Sequence, residues 1–389
     1  MTGVNRIAIL GPAPPDRGGI ARETALLADE LSSRVEVSYF SFSRPYPRWL
    51  DPRRFDSVPS AGHTGVPVRP VFDYLSPRSW RATADEIAAG APDALLAPWW
   101  TSFWGLPLRA AFRRLRQRSP ATVRTLLCHN VEDHESGWLQ RFLTLGAFHS
   151  SDAFVVHAES DRVLLSRRVP RRPVAVIPHP VVDAPRPDRE TARRELGITT
   201  PLVLFLGLVR RYKGVDLLID AAPAIVSETG ARIAVVGEVF REARDLDERR
   251  RRSPVRDAIL WRDEYVPEEE MRRWLAACDV VVLPYRYVSG SGIAARAIAA
   301  RRPVCAAAVG GLVETVVPGV TGELFSPGSS SELASAVRLA LDRGLSAYAR
   351  GLDRAAEEAS WSRYADRVLA FVRSAAPPGS SPSLRADAG

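Results

Sequence analysis

The densest chemistry in the chain lies in Pro201–Asp216, PLVLFLGLVRRYKGVD, where Arg210, Arg211 and Lys213 crowd one short loop. An apolar run from Leu202 to Leu206 stops at Gly207, and a helical pattern (Val215, Leu217, Leu218, Ala221, Ala222) starts near Gly214. The spacing predicts strand, loop and helix. Such a loop sits at the carboxyl end of a parallel strand, where open α/β sheets bind ligands, and the N-terminus of the next helix favours anions. A diphosphate suits it, because each charge-assisted hydrogen bond to a guanidinium or ammonium is strong. Lys213 is the chain's only lysine, every other fixed cation being arginine. It reads either as a site that needs a compact ammonium or as an inert surface residue that chance has kept.

Three further groups could carry chemistry. In PYRYVSGSGIAARAIAARRPV, Pro284–Val304, an apolar strand (Val280–Leu283) ends in a loop holding Ser289, Gly290, Ser291 and Gly292, and a small, apolar helix follows from Ile293. Free N–H groups at that helix start suit a phosphate, and Ser291 suits the cap; a purely structural cap is the plainer reading. In LCHNVEDHE, Leu127–Glu135, His129, Asn130, Glu132, Asp133, His134 and Glu135 meet at a strand end. A histidine there can bind sugar hydroxyls or move protons, whereas a metal reading has only His129 and His134, five apart and with no third ligand. GGLVETV, Gly310–Val316, followed by GVTGELFSPG, places glycines and an acid past another strand end.

The elements that must hold these groups alternate regularly. Ile7–Leu10 reads as a strand running into GPAPPDRGGIARE, whose Gly18 and Gly19 let the backbone approach a ligand, and Ile20–Leu31 has helical spacing. The motif is not GxGxxG, so a dinucleotide site is poorly supported. Val35–Phe42 alternates as a second strand, and Arg44–Pro77, rich in Pro, Arg and Ser, reads as a long loop on the acceptor side. Strands at Ala94–Ala97, Val123–Cys128, Ala153–Val156 and Val174–Ile177 follow, with a helix at Trp138–His149. The proline-loaded Ile177–Glu190 is the linker candidate. A second series (Leu202–Leu206, Ile233–Val236, Ile259–Trp261, Val280–Leu283, Val304–Ala307) then repeats the pattern. Strands alternating with helices mean α/β, two doubly wound parallel sheets with a cleft between them.

A chain of 389 residues with 46% hydrophobic content can build two cores. Cys128, Cys278 and Cys305 lack metal-ligand spacing and imply a reducing compartment. MTGVNRIAIL lacks a long hydrophobic segment with a cleavage site, and no run of about eighteen apolar residues occurs, so a cytoplasmic protein is expected. The net charge of +8 raises anionic partners. RAAFRRLRQRS, Arg109–Ser119, sets Leu108, Ala111, Phe112 and Leu115 on one face and Arg109, Arg113 and Arg116 on another. It reads as an ordinary surface helix or as one that makes peripheral contact with an anionic membrane on its inner face. Arginines spread along both halves, without a clustered aromatic face, argue against nucleic acid.

GGIA near residue 19, CHNVEDHE, IPHPV, LGLVRRYKGVDLLIDA, LPYRYVSGSG, GGLVETV, GVTGELFSPG and SWSRYA together resemble the group 1 glycosyltransferases of the GT-B fold, in order from about Arg6 to Val372. The resemblance implies two Rossmann-like domains facing across a cleft, 1–180 on the acceptor side and 181–355 for the nucleotide sugar. It implies a crossover helix at 356–375 that returns to the first domain; 376–389 is expected to be a disordered tail. The implied reaction is retaining and metal-independent, a hexosyl transfer from a nucleotide-sugar donor (UDP-, GDP- or ADP-linked) to an unknown acceptor, with no cofactor beyond that co-substrate. By position, Arg210 and Lys213 resemble the basic pair on the donor diphosphate, Gly19 the glycine facing it, and His129 the histidine near the reacting carbon. Ser291, Gly292 and Ile293 resemble the backbone amides at sugar or phosphate, and Tyr265 and Val266 the strand-end pair near the base. Gly18, Ser289 and Gly290 complete the donor-binding set. Many relatives carry two glutamates where this chain has Val288 and Arg296, and it looks like the subset with Ser-Gly instead. Alternatives are a non-catalytic nucleotide-sugar binder, a GT-B epimerase, or a phosphorylase with pyridoxal phosphate on Lys213.

Overall fold

The structure is a computed structural model that describes residues 4–16, 19–44, 64–131, 137–181, 186–288 and 290–375. Described residues up to Ile177, together with those from Trp361 onward, make one unit; those of Pro178–Ser360 make a second.

In the first unit, β1 (Arg6–Leu10), β2 (Glu36–Arg44), β3 (Val68–Asp73), β4 (Ala94–Trp99), β5 (Val123–Cys128), β6 (Ala153–Val156) and β7 (Val174–Val176) form one sheet in the order β3-β2-β1-β4-β5-β6-β7. Every neighbouring pair is parallel. All residues of β4, β5 and β6 are buried, which is why β4 and β6 read as apolar runs rather than as alternating strands. Arg124 in the middle of this core is tolerated because Asp152 lies 2.5 Å from its guanidinium. Burial lowers the Arg124 pKa and the carboxylate works against that shift.

The expected loop over Arg44–Pro77 is corrected in part. Val68–Asp73 pairs with β2 at the sheet edge, and helix Pro77–Ala89 begins at the segment's end. Pro70 brings no N–H to the ladder, and only Phe72 is buried, so neither of the usual strand signals shows. An edge strand is where such a sequence can sit. Residues 45–63 of the same stretch lie outside the described residues.

Helix Trp361–Ala375 packs on helix Gly19–Ser32 and on β5 and β6. Its buried residues, Trp361, Tyr364, Ala365, Val368, Leu369 and Val372, recur at the three- and four-residue steps of a helical stripe. Arg34 fixes it by pairing with Asp366 at 2.7 Å and donating to Ser362 Oγ at 2.6 Å. The expected tail at 376–389 lies outside the described residues.

The second unit repeats the plan with β8 (Leu202–Leu206), β9 (Arg232–Val236), β10 (Ile259–Arg262), β11 (Val280–Leu283), β12 (Val304–Ala307) and β13 (Gly322–Phe325), in the order β10-β9-β8-β11-β12-β13. All pairs are parallel. The sequence reading took β13 as part of a glycine-rich loop; at four residues, flanked by Thr321 and Ser326, it carries too little apolar run to be seen. Asp279 ties the amino edge of this sheet together, accepting from Leu202 N at 2.8 Å and from Arg193 at 3.3 Å. The strand order reverses between β8 and β11. Loops after these two strands therefore flank the crevice where a doubly wound sheet takes its ligand.

Candidate functional site

The loop after β8 is built so that one of its three cations, Arg211, is committed to structure and the other two are not. Gly214 has φ +65°, and a Cβ there would stand 1.9 Å from Pro284 O. Only glycine lets the loop turn this tightly against the segment after β11. That segment holds the loop in return: Arg286 N donates to Tyr212 O at 2.8 Å, and the Arg286 guanidinium donates to Arg211 O at 2.7 Å and to both oxygens of Asp216 at 3.1 and 2.6 Å. Tyr212 stacks on Tyr287 with ring centres 5.0 Å apart. Arg211 turns away to Asp245, at 2.6 Å, and to Glu242 O.

Arg210 and Lys213 are left without a carboxylate among the described residues. Each faces an aromatic ring instead. The Arg210 guanidinium lies 3.9 Å from the Phe240 ring centre and Lys213 Nζ 5.4 Å from that of Tyr285. A cation held against a π face is stabilised less than one in an ion pair, so its charge stays available. Burial first and the Arg210 charge second hold the Lys213 ammonium at about 8, well below the usual lysine value. An arriving anion would relieve both effects.

Helix Gly292–Ala299 starts beside this ammonium. A Cβ placed on Gly207 would lie 3.4 Å from Ile293 Cδ1 and 3.6 Å from Lys213 Nζ, so the three residues share one spot. Ser291 caps the helix as its type predicts, its Oγ accepting from Ala294 N at 3.2 Å. The opening amides, including those of Gly292 and Ile293, have no intrahelical acceptor and form an anion-favouring end next to Lys213. Gly290 precedes the cap; Ser289 lies outside the described residues. Gly310, at φ +47°, brings the loop after β12 against the same segment, for a Cβ there would be 1.7 Å from Val288 O.

Tyr265 and Val266 follow β10, two strands away from β8. Tyr265 is half exposed while Val266 is buried in the core, so only the tyrosine side chain can meet a ligand and Val266 can offer only its backbone. Arg296, which the resemblance set at one of two positions expected to be acidic, is neither solvated nor free: it donates to both oxygens of Glu268 at 2.8 and 2.9 Å.

In the first unit the structure groups Gly19 with His129 through a residue the sequence reading passed over. His129 follows β5, its amide donating to Trp99 O at 2.8 Å. Its Nδ1 lies 3.5 Å from Glu23 Oε2, and a Cβ on Gly19 would lie 3.8 Å from Glu23 Oε1. The His157 ring centre is 5.1 Å from that of His129. Glu23 stands one turn after Gly19 on helix Gly19–Ser32, a spacing that could have marked it. Asp16 was also missed. Burial raises its carboxyl to about 6, in the loop after β1 and beside the crevice where this sheet reverses between β1 and β4. Gly18, and the acids and His134 of the Glu132–Glu135 run, lie outside the described residues.

The basic helix Gly105–Arg118 buries Leu108, Ala111, Phe112 and Leu115 as its spacing predicts. Much of its charge is already used within the unit. Arg114 pairs with Asp85 at 2.7 Å, Arg118 with the same carboxylate at 3.3 Å and Arg116 with Asp152 at 3.5 Å. The neighbouring helix Trp138–Ser150 carries the more unusual surface: Trp138 is 81% exposed, and Leu139, Phe142 and Leu145 are exposed beside it.

Solved structures resemble this arrangement over nearly its full length. HepE of Anabaena in complex with UDP aligns with a TM-score of 0.73 over 95% of this chain and 100% of its own, at 16% identity. Sucrose-phosphate synthase of Thermosynechococcus elongatus gives 0.75 over 95% and 98%, at 18% identity. The fold is GT-B. Identities this low speak for the GT-B architecture and for nothing finer. Within the GT-B chain, residues 200–343 match the family model described as glycosyl transferases group 1. The D-inositol 3-phosphate glycosyltransferase of Geodermatophilus obscurus is 34% identical over 231 residues, 56% of this chain and 50% of that one. The alpha-maltose-1-phosphate synthase of Mycolicibacterium smegmatis is 29% identical over 208 residues, 49% and 52% of the two chains. The chain thus spans about half the length of the curated relatives it matches. The family match contains Arg210, Lys213, Tyr265 and Ser291–Ile293 but not Gly19 or His129. Among the described residues no helix is long and apolar enough to cross a membrane.

Proposed function

We propose that this GT-B chain is a metal-independent, retaining glycosyltransferase that moves a hexosyl group from a nucleotide-sugar donor. The observation that carries the proposal is the pair Arg210 and Lys213, two cations without a carboxylate among the described residues, beside the amide-rich start of helix Gly292–Ala299. A nucleoside diphosphate leaving group gains negative charge as the glycosidic bond breaks, and fixed cations aimed at it stabilise that state. In this reading Arg210 supplies a planar fork, Lys213 a compact charge and Gly292 and Ile293 their amides. Tyr265 serves the base, and Gly19 and His129 keep the donor roles that the resemblance to the family implies. Glu23 holds the His129 ring through its Nδ1. Retention rests on the resemblance to the family and on no residue that acts as nucleophile.

The enzyme incubated with UDP-, GDP- and ADP-sugars without acceptor tests this directly. Slow release of free sugar, whose first-formed anomer keeps the donor configuration by proton NMR, is expected for one of them. Release of the opposite anomer would refute retention, and a donor bound but never cleaved would favour a binding protein.

The exposed face of helix Trp138–Ser150 favours a membrane-presented acceptor. Trp138, Leu139, Phe142 and Leu145 are exposed together, and the Arg109 guanidinium lies 5.9 Å from the Phe142 ring centre. Aromatic and apolar side chains edged by arginine suit the interface of an anionic bilayer. Sedimentation with phosphatidylglycerol vesicles should carry down the wild type and much less of Trp138→Ser with Phe142→Ser; equal binding to purely zwitterionic vesicles would speak against it.

A further inference from the structure

The second unit contains a cavity that the transferase reading leaves unused. It lies between helices Glu268–Ala277 and Gly292–Ala299 and the start of helix Arg189–Leu196, with a volume of about 290 Å³. That is near the lower bound for small-molecule sites. Six arginines line it, Arg186, Arg189, Arg272, Arg296, Arg301 and Arg302, against two acids, Asp188 and Glu268.

Three of the six are committed to carboxylates: Arg189 to Asp279, Arg296 to Glu268 and Arg301 to Asp353. Arg186, Arg272 and Arg302 have no carboxylate partner among the described residues. Among the described residues Arg302 donates to the carbonyls of Leu275 and Ala276, at 2.8 and 2.7 Å. Burial lowers its pKa, Arg189 and Arg186 pushing the same way and Cys278 and Asp279 against it. The Nε atoms of Arg272 and Arg189 are buried with no hydrogen-bond partner among the described residues. A buried guanidinium N–H that nothing accepts is costly, and three guanidinium groups without a carboxylate around one cavity leave an excess of positive charge there that an anion would neutralise. The opposite wall is apolar, made by Met271, Leu275, Ala276, Ala299 and Ala300.

We infer that this cavity binds a small phosphate monoester, the phosphate held by Arg186, Arg272 and Arg302 and the carbon body resting on the apolar wall. Forked donors converging on a tetrahedral dianion give the geometry that arginine recognises best. The site is separate from the donor loop. Leu275–Ala276 and Ala299–Arg302 lead into the amino ends of β11 and β12, the sheet edge opposite Arg210 and Lys213. Binding here would therefore act on transfer from a distance or store a ligand, and does not depend on the donor assignment.

Isothermal titration of the full chain with glycerol 3-phosphate, inorganic phosphate and sulfate tests the site, read in three proteins: wild type, Lys213→Ala and Arg272→Ala. Glycerol 3-phosphate should bind wild type and Lys213→Ala alike and Arg272→Ala at least tenfold more weakly, with inorganic phosphate weaker than the ester because it leaves the apolar wall uncovered. Arg272→Lys, which keeps the charge but loses the fork, should fall between. A thermal melt of each variant separates lost binding from lost folding. Equal binding by Arg272→Ala, loss of binding in Lys213→Ala, sulfate binding as tightly as the ester, or no binding at millimolar ligand would each overturn the inference.

Discussion

Arg286 grips Asp216 through two hydrogen bonds, 3.1 and 2.6 Å, and in doing so straps the segment after β11 across the loop after β8. The pair spans the point where the strand order reverses, so it sets the position of Arg210 and Lys213 without touching either. Its guanidinium is half exposed, which limits its value to stability to about 1 kcal/mol. Asp216→Ala should therefore melt within a few degrees of wild type while raising the donor KM roughly tenfold, the loss of one loop constraint. Steady-state kinetics beside a thermal melt check this; a large stability loss with unchanged KM would make the strap structural only.

Lys213 predicts the pH response. A diphosphate binds its protonated form, and burial holds the free ammonium at about 8. Affinity for a nucleoside diphosphate should fall as pH rises through about 8, by up to ~10-fold per unit until the pKa of the complex is reached. Lys213→Arg, charged throughout, should remove the bend. Folding stability runs the other way. Between about 8 and 10.4 the unfolded chain holds the proton that the folded one has lost, so this residue makes the fold more stable as pH rises across that window. Titrations from pH 6 to 10 on both proteins decide the matter.

Asp16 gives a second pH signature. Its carboxyl, raised to about 6, binds a proton between about 4 and 6 that the unfolded chain has released, so its contribution is present below about 4 and lost as pH rises through 6. Asp16→Asn should stabilise the protein at pH 7.5 by about 1–2 kcal/mol and hardly at all at pH 4, read by urea melts at the two values. A gain in stability joined to a loss of activity would mark Asp16 as a working residue of the loop after β1.

Glycines separate strain from collision. Gly197, Gly214 and Gly230 all have positive φ, but a Cβ at Gly197 or Gly230 would meet nothing within 4 Å while one at Gly214 would meet Pro284 O at 1.9 Å. Alanine at Gly197 or Gly230 should cost about 1–2 kcal/mol, the left-handed penalty alone. Gly214→Ala should cost several kcal/mol more or displace the loop, measured as a denaturant midpoint.

Legibility in the sequence followed burial. Strands buried on both faces, such as Ala153–Val156 and Leu202–Leu206, stand out as apolar runs with glycine or polar residues after them, and Trp361–Ala375 shows its stripe plainly. Edge strands Val68–Asp73 and Gly322–Phe325 do not, because an edge tolerates Pro70 and a short strand needs little apolar length. In the site, residues close in sequence were visible together: Arg210 with Lys213 after one strand, Ser291 with Gly292 after another. What joins them was not. Arg286 to Asp216 and Glu23 to His129 are long-range partnerships that no spacing announces. Nor did the charge-rich helix Gly105–Arg118 reveal that Asp85 and Asp152 already hold three of its five arginines, Arg114, Arg116 and Arg118.

The central claim is that Arg210 and Lys213 grip a diphosphate, and calorimetric titration of Lys213→Ala with UDP, GDP and ADP tests it most directly. For whichever nucleotide binds the wild type, the variant should bind about 10- to 100-fold more weakly, a loss of about 1.4–2.8 kcal/mol, with a melting temperature equal to or above that of wild type because a buried charge has been removed. Undiminished affinity in a folded variant would contradict the account.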